Sequence, residues 1–451
     1  MPPKLLPILL LLILHTPSHP FPLLPPTPHP HNTLLHAHHP PPSPSILDTI
    51  DLKHSWPSSS PSFIANHWNK SPVLLKNSFR PDDELYPTVA DVHALATDDD
   101  SETRLITHDA SKDLYSLELG PLSPSELSPP LPHSIVINDV DRFLPHVADW
   151  MDANFDRFPN WRRDDGQVSL ASKGGGIGFH VDNYDVFLIQ ILGTRNWTIE
   201  VEPLSEDEEF TRLDDKHDVR ILKASSTKRT VTKTLKPGDM LYLPPRIPHC
   251  GTATSDDCMT LSVGFRSPSA SELLSAMAED VGERVRSGAS VNSRYSESNP
   301  DYILNNPSRG LLTTEASDAC KKILLEAING VEWDHFYGKH VTTSKRFRLN
   351  HPQPAGPEQG LWGDPQSAVS SVFDNNNGML FQAEGLTFAY NANSDLFIDG
   401  THFPDIPPPI SRVICDNRCL TKSHFDSILP LPRALLIDLV SRGFLYGCDG
   451  L

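Results

Sequence analysis

Between residues 168 and 265 apolar positions either alternate with polar ones or run unbroken over short stretches: 186–192, 197–201, 230–235, 240–243 and 259–265. A period of two over four to eight residues predicts strands, and the Gly and Pro residues between them predict tight connections. Many short strands so punctuated suit an antiparallel barrel or jelly roll. After Arg266 the period changes. Ser269 and Glu272 make a capping box, and Leu274, Met277, Val281 and Val285 follow at helical spacing. A second helical stretch is predicted over about 317–328. Its apolar stripe suits a homodimer interface or packing on the barrel equally well. Residues 349–365, rich in Pro and Gly, read as a linker. Short strands (379–381, 386–390, 396–399) and a helix from Pro432 to Arg442, closed by Gly443, then predict a small winged-helix-like domain.

These patterns predict an α+β chain in five parts. They are a targeting segment (1–45), a β-rich catalytic domain (46–268), a helical region (269–348), a linker (349–372) and a winged-helix-like domain (373–451). The first part is a different kind of polymer. Residues 1–45 hold 14 of the 44 prolines and seven of the 21 histidines, no acidic residue, and Lys4 as the sole base. Lys4 followed by an apolar run over 5–14 has the form of a targeting signal too short to span a bilayer. This predicts an organelle, plastid or mitochondrion, with entry to the secretory pathway as the alternative, and no transmembrane anchor in the mature form.

A formal net charge of −19 argues against a phosphate-neutralising surface and hence against direct nucleic-acid binding. No Lys/Arg cluster on the predicted terminal helix reverses that expectation. A basic protein partner suits such a field. Six scattered cysteines give neither a disulfide framework nor paired CxxC zinc motifs.

The chemistry concentrates in two segments, "GGGIGFHVDNYDVFLIQILGTRNWTIE" and "LKPGDMLYLPPRIPHCGTA". His180 and Asp182 are two apart, so on a strand both would face one way and could share a metal. His249, beyond a Pro-Gly-Asp turn, would complete a two-His, one-carboxylate face that leaves positions open for a 2-oxo acid and dioxygen. Arg195 shares parity with Trp197 and Ile199, so it should lie on the inward face as the cation for a buried carboxylate, unless the preceding Gly193-Thr194 turn exposes it. Ser169 could add a hydroxyl. The Gly174–Gly176 run lacks a P-loop Lys and reads as backbone closing on a cofactor. Arg246 stands where a second cupin motif has Gly. Cys250 neighbours His249 on a strand and should face away from it, which disfavours a Cys/His nucleophile.

At these residues the chain resembles the bacterial-type ribosomal oxygenases of the JmjC, cupin-like superfamily. The resemblance rests on "GGGIGFHVDNYDVFLIQILG", "PGDMLYLPP", "MTLSVGFRSPS" and "FIANHWNKSPVLLKNSF", and spans about 46–451. It implies a double-stranded β-helix core, iron(II) on His180, Asp182 and His249, and 2-oxoglutarate on Arg195 and Ser169 with dioxygen as co-substrate. It also implies a substrate pocket at Asp165 and Tyr184. In it, Asp165 would pair with a guanidinium and Tyr184 would flank the stem, although Asp164, Asp165 and Gly166 alone read as a turn. The activity implied is hydroxylation of a ribosomal protein, an arginine of large-subunit protein sixteen. Gln167 stands where family members often have Met. The alternatives are a histidine hydroxylase or another JmjC oxygenase, a non-oxygenase metal-binding cupin, or a scaffold. The last would predict a broken triad.

Overall fold

The computed structural model describes residues 47–79, 86–223, 228–286, 294–296, 312–344, 364–374 and 378–449. The predicted targeting segment and most of the predicted linker lie outside them. Twelve strands build the catalytic part: β1 Asp48–Asp51, β2 Val73–Lys76, β3 Thr103–Asp109, β4 Leu114–Leu119, β5 His133–Ile137, β6 Arg163–Ala171, β7 Asp185–Leu192, β8 Arg195–Glu200, β9 Thr230–Leu235, β10 Met240–Leu243, β11 His249–Ala253 and β12 Cys258–Phe265. Nine form one sheet in the order β1-β2-β10-β7-β12-β6-β5-β3-β4, and β11-β8-β9 form a second. From β7 onward the chain steps repeatedly between the two, which makes the expected double-stranded β-helix.

Alternation along the strands decides what each face meets. Val168 and Leu170 of β6, Ile135 and Ile137 of β5 and Leu261 and Val263 of β12 point away from the small sheet. They pack under the helices Pro61–Asn66, Val89–Ala96 and Pro145–Asn154, around Phe63, Val92 and Trp150. Val186 and Leu188 of β7 face the other way and meet Trp197, Ile199 and Leu235 of the small sheet. Register then carries a row across the inner face: Arg104 lies opposite Val136, Val136 opposite Ser169, and Ser169 opposite Thr260. A second row joins Gln167, Ser262 and Leu188. Residues 164–166, which alone read as a turn, belong to β6 because pairing with β12 holds them extended as far as Arg163.

Among the described residues the helical region has Ala270–Arg286, Thr314–Asn329 and Trp333–Thr342. Ser269 Oγ accepts from the Glu272 amide at 3.1 Å, as its capping position predicts. The carboxy-terminal domain has helices Pro365–Asp374, Pro408–Asp416 and Arg433–Ser441 around a sheet of Gly378–Gln382, Cys419–Leu420 and Leu445–Asp449. The predicted linker to residue 372 is corrected here. Val369 and Val372 of the helix Pro365–Asp374 are buried against Leu380 and Leu436, so residues 365–372 belong to that domain's core. Among the described residues no helix is long and apolar enough to cross a membrane.

Candidate active site

A cavity of about 460 Å³ opens between the two sheets, and His180, Asp182, Ser169, Arg195, Asp165 and Tyr184 all line it, with His249. His180, Asp182 and His249 each bring one ligand atom within 4.8 Å of the others. His180 and Asp182 do not lie on a strand, so strand parity is not what brings them together. His180 makes a single bridge to His249, exchanging backbone hydrogen bonds of 3.0 and 2.9 Å, and this bridge sets the two imidazoles side by side. The Nδ1 of His180 lies 3.0 Å from the Gly178 carbonyl, and that of His249 2.9 Å from the Ile247 carbonyl. A carbonyl only accepts, so each Nδ1 carries the proton and each Nε2 offers its lone pair to the shared space. His249 Nε2 stands 3.5 Å from Asp182 Oδ2. Burial, with the His180 ring beside it, pushes the His249 imidazole down to about 4, so it is neutral at physiological pH, the form a metal needs. Two imidazoles and one carboxylate fit iron(II) with positions to spare.

Arg195 is not in a solvent-facing turn. It opens β8 with 3% of its surface exposed, on the inward face with Trp197 and Ile199. Its Nη1 donates to Ser169 Oγ at 3.2 Å and its Nη2 to the Cys258 carbonyl at 3.4 Å, while Nε has no partner. No carboxylate pairs with it among the described residues. A desolvated guanidinium with long hydrogen bonds and no counter-ion can receive an anionic group that enters the cavity. Asp165 lies on β6, two residues before Gln167 and four before Ser169, and its Oδ2 accepts from the Asp139 amide at 3.3 Å. The charge of Asp182, then burial, raises the Tyr184 hydroxyl far above the usual tyrosine range, so it stays protonated.

Two expectations about the loops change. Gly175 and Gly176 close on backbone, not on a cofactor. A Cβ on Gly175 would sit 2.0 Å from the His133 carbonyl oxygen, and one on Gly176 would sit 2.3 Å from that of Gly251, on β11. Arg246 adopts φ +71°, the conformation that makes Gly common at such a position. Its amide donates to the Asp182 carbonyl at 2.7 Å, and its guanidinium binds Glu209, Asn183 Oδ1 at 2.9 Å and the Leu204 carbonyl at 3.0 Å. The side-chain contacts hold a strained turn that the backbone beside a metal-binding position needs. Burial raises the Glu209 carboxyl, but Arg220 and Arg246 pull it down further, so it remains charged. Cys250, half-buried on β11, is raised chiefly by burial and is no thiolate.

Residues 151–273 match the model of the JmjC domain. Over 390 residues the chain is 29% identical to the ribosomal protein uL16 3-hydroxylase of Escherichia coli, covering 86% of this chain and 97% of that one. It is 31% identical over 349 residues to a probable ribosomal oxygenase of Haemophilus influenzae, covering 73% and 78%. This chain belongs to the ribosomal oxygenases. The solved structure of the Escherichia coli ribosomal oxygenase YcfD in complex with cobalt and 2-oxoglutarate superposes with a TM-score of 0.70 at 27% identity, covering 86% of this chain and 97% of that one. A second structure of YcfD gives 0.72, with coverage of 86% and 98%.

Further residues of this ribosomal oxygenase line the cavity without a motif to mark them. Thr260 lines the cavity opposite Ser169, and its hydroxyl donates to Gln190 Oε1 at 3.0 Å. Trp197 also lines it, with its ring 5.7 Å from that of His249. The parity that located Arg195 would also have found Gln167, midway between Asp165 and Ser169 on one face of β6. No local signal could have found Arg142, Ser344, Gly385 and Thr387, which complete the mouth from distant parts of the chain.

Proposed function

We infer that this chain is an iron(II)- and 2-oxoglutarate-dependent hydroxylase of a ribosomal protein, and that the side chain it modifies is an arginine of large-subunit protein sixteen. The observation that carries this reading is the convergence of the His180, Asp182 and His249 ligand atoms and the unpaired Arg195 guanidinium on one cavity. When bound, iron(II) with 2-oxoglutarate and dioxygen would supply the oxidising power to insert one oxygen atom into an unactivated C–H bond, while the 2-oxo acid takes the other and is decarboxylated to succinate and carbon dioxide. The chain supplies placement. His180, Asp182 and His249 hold the metal; Arg195, with Ser169, takes the distal carboxylate and so fixes which end of the 2-oxo acid faces the metal. Asp165 pairs with the substrate guanidinium, and Tyr184, kept neutral beside Asp182, walls the stem. An acidic chain meeting a basic ribosomal protein fits this assignment.

Two features lie at the edge of this reading. Leu274, Leu324 and Leu325 are exposed on the helices Ala270–Arg286 and Thr314–Asn329, which supports a homodimer through that region. The targeting-like amino-terminal sequence supports work in an organelle, or else passage into the secretory pathway.

Succinate release by the iron-loaded chain, with and without a basic peptide bearing the candidate arginine, tests the reading. Peptide-stimulated turnover, abolished in His180→Ala, with a mass gain of one oxygen atom on arginine, is expected. Iron binding without turnover on any basic peptide would instead leave a non-oxygenase cupin.

A further inference from the structure

A second cavity, of about 360 Å³, lies between the catalytic part and the carboxy-terminal domain. Asp156, Asn160 and Trp161 line it from the catalytic side, and Gln382, Tyr390 and Asp416 from the other. The Trp161 and Tyr390 side chains are half-buried. The free polar atoms of the lining are all acceptors. Asn160 Nδ2 donates to the Cys415 carbonyl at 3.2 Å, and Gln382 Nε2 to the Ile414 carbonyl at 2.6 Å. A carbonyl only accepts, so each amide is fixed nitrogen-first, and its oxygen has no donor among the described residues. The carboxylates of Asp156 and Asp416 have no hydrogen bond or ion pair among the described residues. Arg412, one helical turn before Asp416, acts on it without pairing with it. The cation in the lining, Arg418, is already committed: Nε to Asp149 Oδ1 at 2.5 Å, Nη1 to the Gln382 carbonyl at 3.4 Å and Nη2 to Glu384 Oε1 at 2.6 Å. The helix Pro408–Asp416 also ends here, and the carboxy-terminal end of its dipole adds negative partial charge.

We propose that this second cavity anchors the ribosomal protein by taking one of its arginines other than the one hydroxylated, an inference that rests on the reading of a basic ribosomal protein as substrate. A guanidinium spreads five N–H donors over a plane, accepts nothing, and packs its flat face on aromatic rings. The cavity offers the complement: unpaired acceptors, two of them charged, with a tryptophan and a tyrosine beside them. An anion would be repelled here, and an apolar side chain would desolvate the acceptors without satisfying them. The position also suits a substrate. Thr387 lines the active-site cavity, while Phe388 and Tyr390 line the second one, so a single segment walls both. Three residues of extended chain, about 10 Å, lead from Thr387 to Tyr390. A protein that reaches the metal cavity over this segment has the second cavity within reach. Once one arginine is seated, the other contact becomes intramolecular, and the two together bind far more tightly than either alone. Selection then acts on the protein that carries the modified residue as well as on the residue.

The test uses the iron-loaded full chain with two probes: whole large-subunit protein sixteen, and a short peptide in which the candidate arginine is the sole basic residue. Asp156→Asn combined with Asp416→Asn removes both charges and keeps the shape of the side chains. The expected result is a rise of tenfold or more in the Kd for the whole protein, read by fluorescence anisotropy, and a fall of about tenfold in kcat/KM on it. The KM for the short peptide should stay within twofold. A control carrying Glu206→Gln and Asp207→Asn, two exposed acidic residues that line neither cavity, should change that Kd by less than threefold, which separates the site from the general field of the acidic chain. Asp156→Lys puts a cation at the cavity from an exposed position, should weaken binding in the same direction, and serves if the double variant does not fold. A wild-type chain that binds and hydroxylates the protein, with the double variant no weaker than the control, overturns the proposal and leaves the proposed function standing. An equal loss on the short peptide also overturns it, because the cavity would then be acting through the active site. A wild-type chain that neither binds nor hydroxylates the protein overturns both.

Discussion

Arg195 is placed where a residue that costs stability would be kept for binding an anion. Its guanidinium is buried with no carboxylate beside it, and its hydrogen bonds to Ser169 and Cys258 are 3.2 and 3.4 Å long. Burying an unpaired charge is costly, so replacing it with an apolar side chain of similar length should relieve the protein in the absence of co-substrate. We expect Arg195→Met to melt no lower than the wild type without 2-oxoglutarate. With metal present, it should lose the rise in melting temperature that 2-oxoglutarate gives the wild type, and its KM for 2-oxoglutarate should rise by about a hundredfold. A thermal-shift titration reads both effects. A variant that is destabilised yet still gains stability from 2-oxoglutarate would show that Arg195 is structural.

At the scale of elements, the site depends on how β11 is held. His249 opens this strand, Ile199 of β8 is its register partner, and the Gly174–Gly176 run presses on its other side at Gly251. The glycine run is thus a backbone buttress. Adding a methyl at Gly176 would put a carbon 2.3 Å from the Gly251 carbonyl oxygen, and backbone cannot yield as a side-chain end can. We expect Gly176→Ala to destabilise the chain by about 2–3 kcal/mol. Iron affinity should also fall by tenfold or more, because the moving strand carries His249. Denaturant unfolding of the metal-free chain and a separate metal titration distinguish the two effects. Unaltered iron affinity in a destabilised variant would mean that the bridge between His180 and His249 survives the displacement of Gly251.

The whole molecule contributes a wall that neither domain has alone. Gly385 and Thr387, from the carboxy-terminal domain, line the cavity beside Arg142. At φ +70°, Gly385 lies so close that a Cβ would be 2.4 Å from the Arg142 side chain. Arg418 fastens this loop to the catalytic domain. It donates to Asp149 Oδ1 at 2.5 Å across the domains and to Glu384 Oε1 at 2.6 Å, next to Gly385. Glu384 is 7% exposed, and in Arg418→Met it would keep, among the described residues, the Tyr446 hydroxyl as its one side-chain donor. We expect that variant to lose about 2–4 kcal/mol and to show a raised KM for the substrate peptide with the KM for 2-oxoglutarate unchanged. Steady-state kinetics with each substrate varied in turn check this; equal effects on both would place the loop's influence at the metal instead of the mouth.

Residue order alone determined the strands 230–235 and 240–243, the change from period two to helical spacing after Arg266, and the inward parity of Arg195. Each of these follows from local rules of alternation, capping and turn chemistry, which act within a few residues. The spacing from His180 to Asp182 was legible in the same way, but its realisation was not: a single bridge to His249, not a strand, sets the geometry. Tertiary structure alone decided that residues 365–372 form a core helix and that Arg246 takes a glycine conformation held by Glu209. It also decided that Gly385 and Thr387 reach the cavity. Periodicity reports that a face is buried and is silent on what buries it. Contacts between residues tens to hundreds of positions apart are set by sheet register and domain docking.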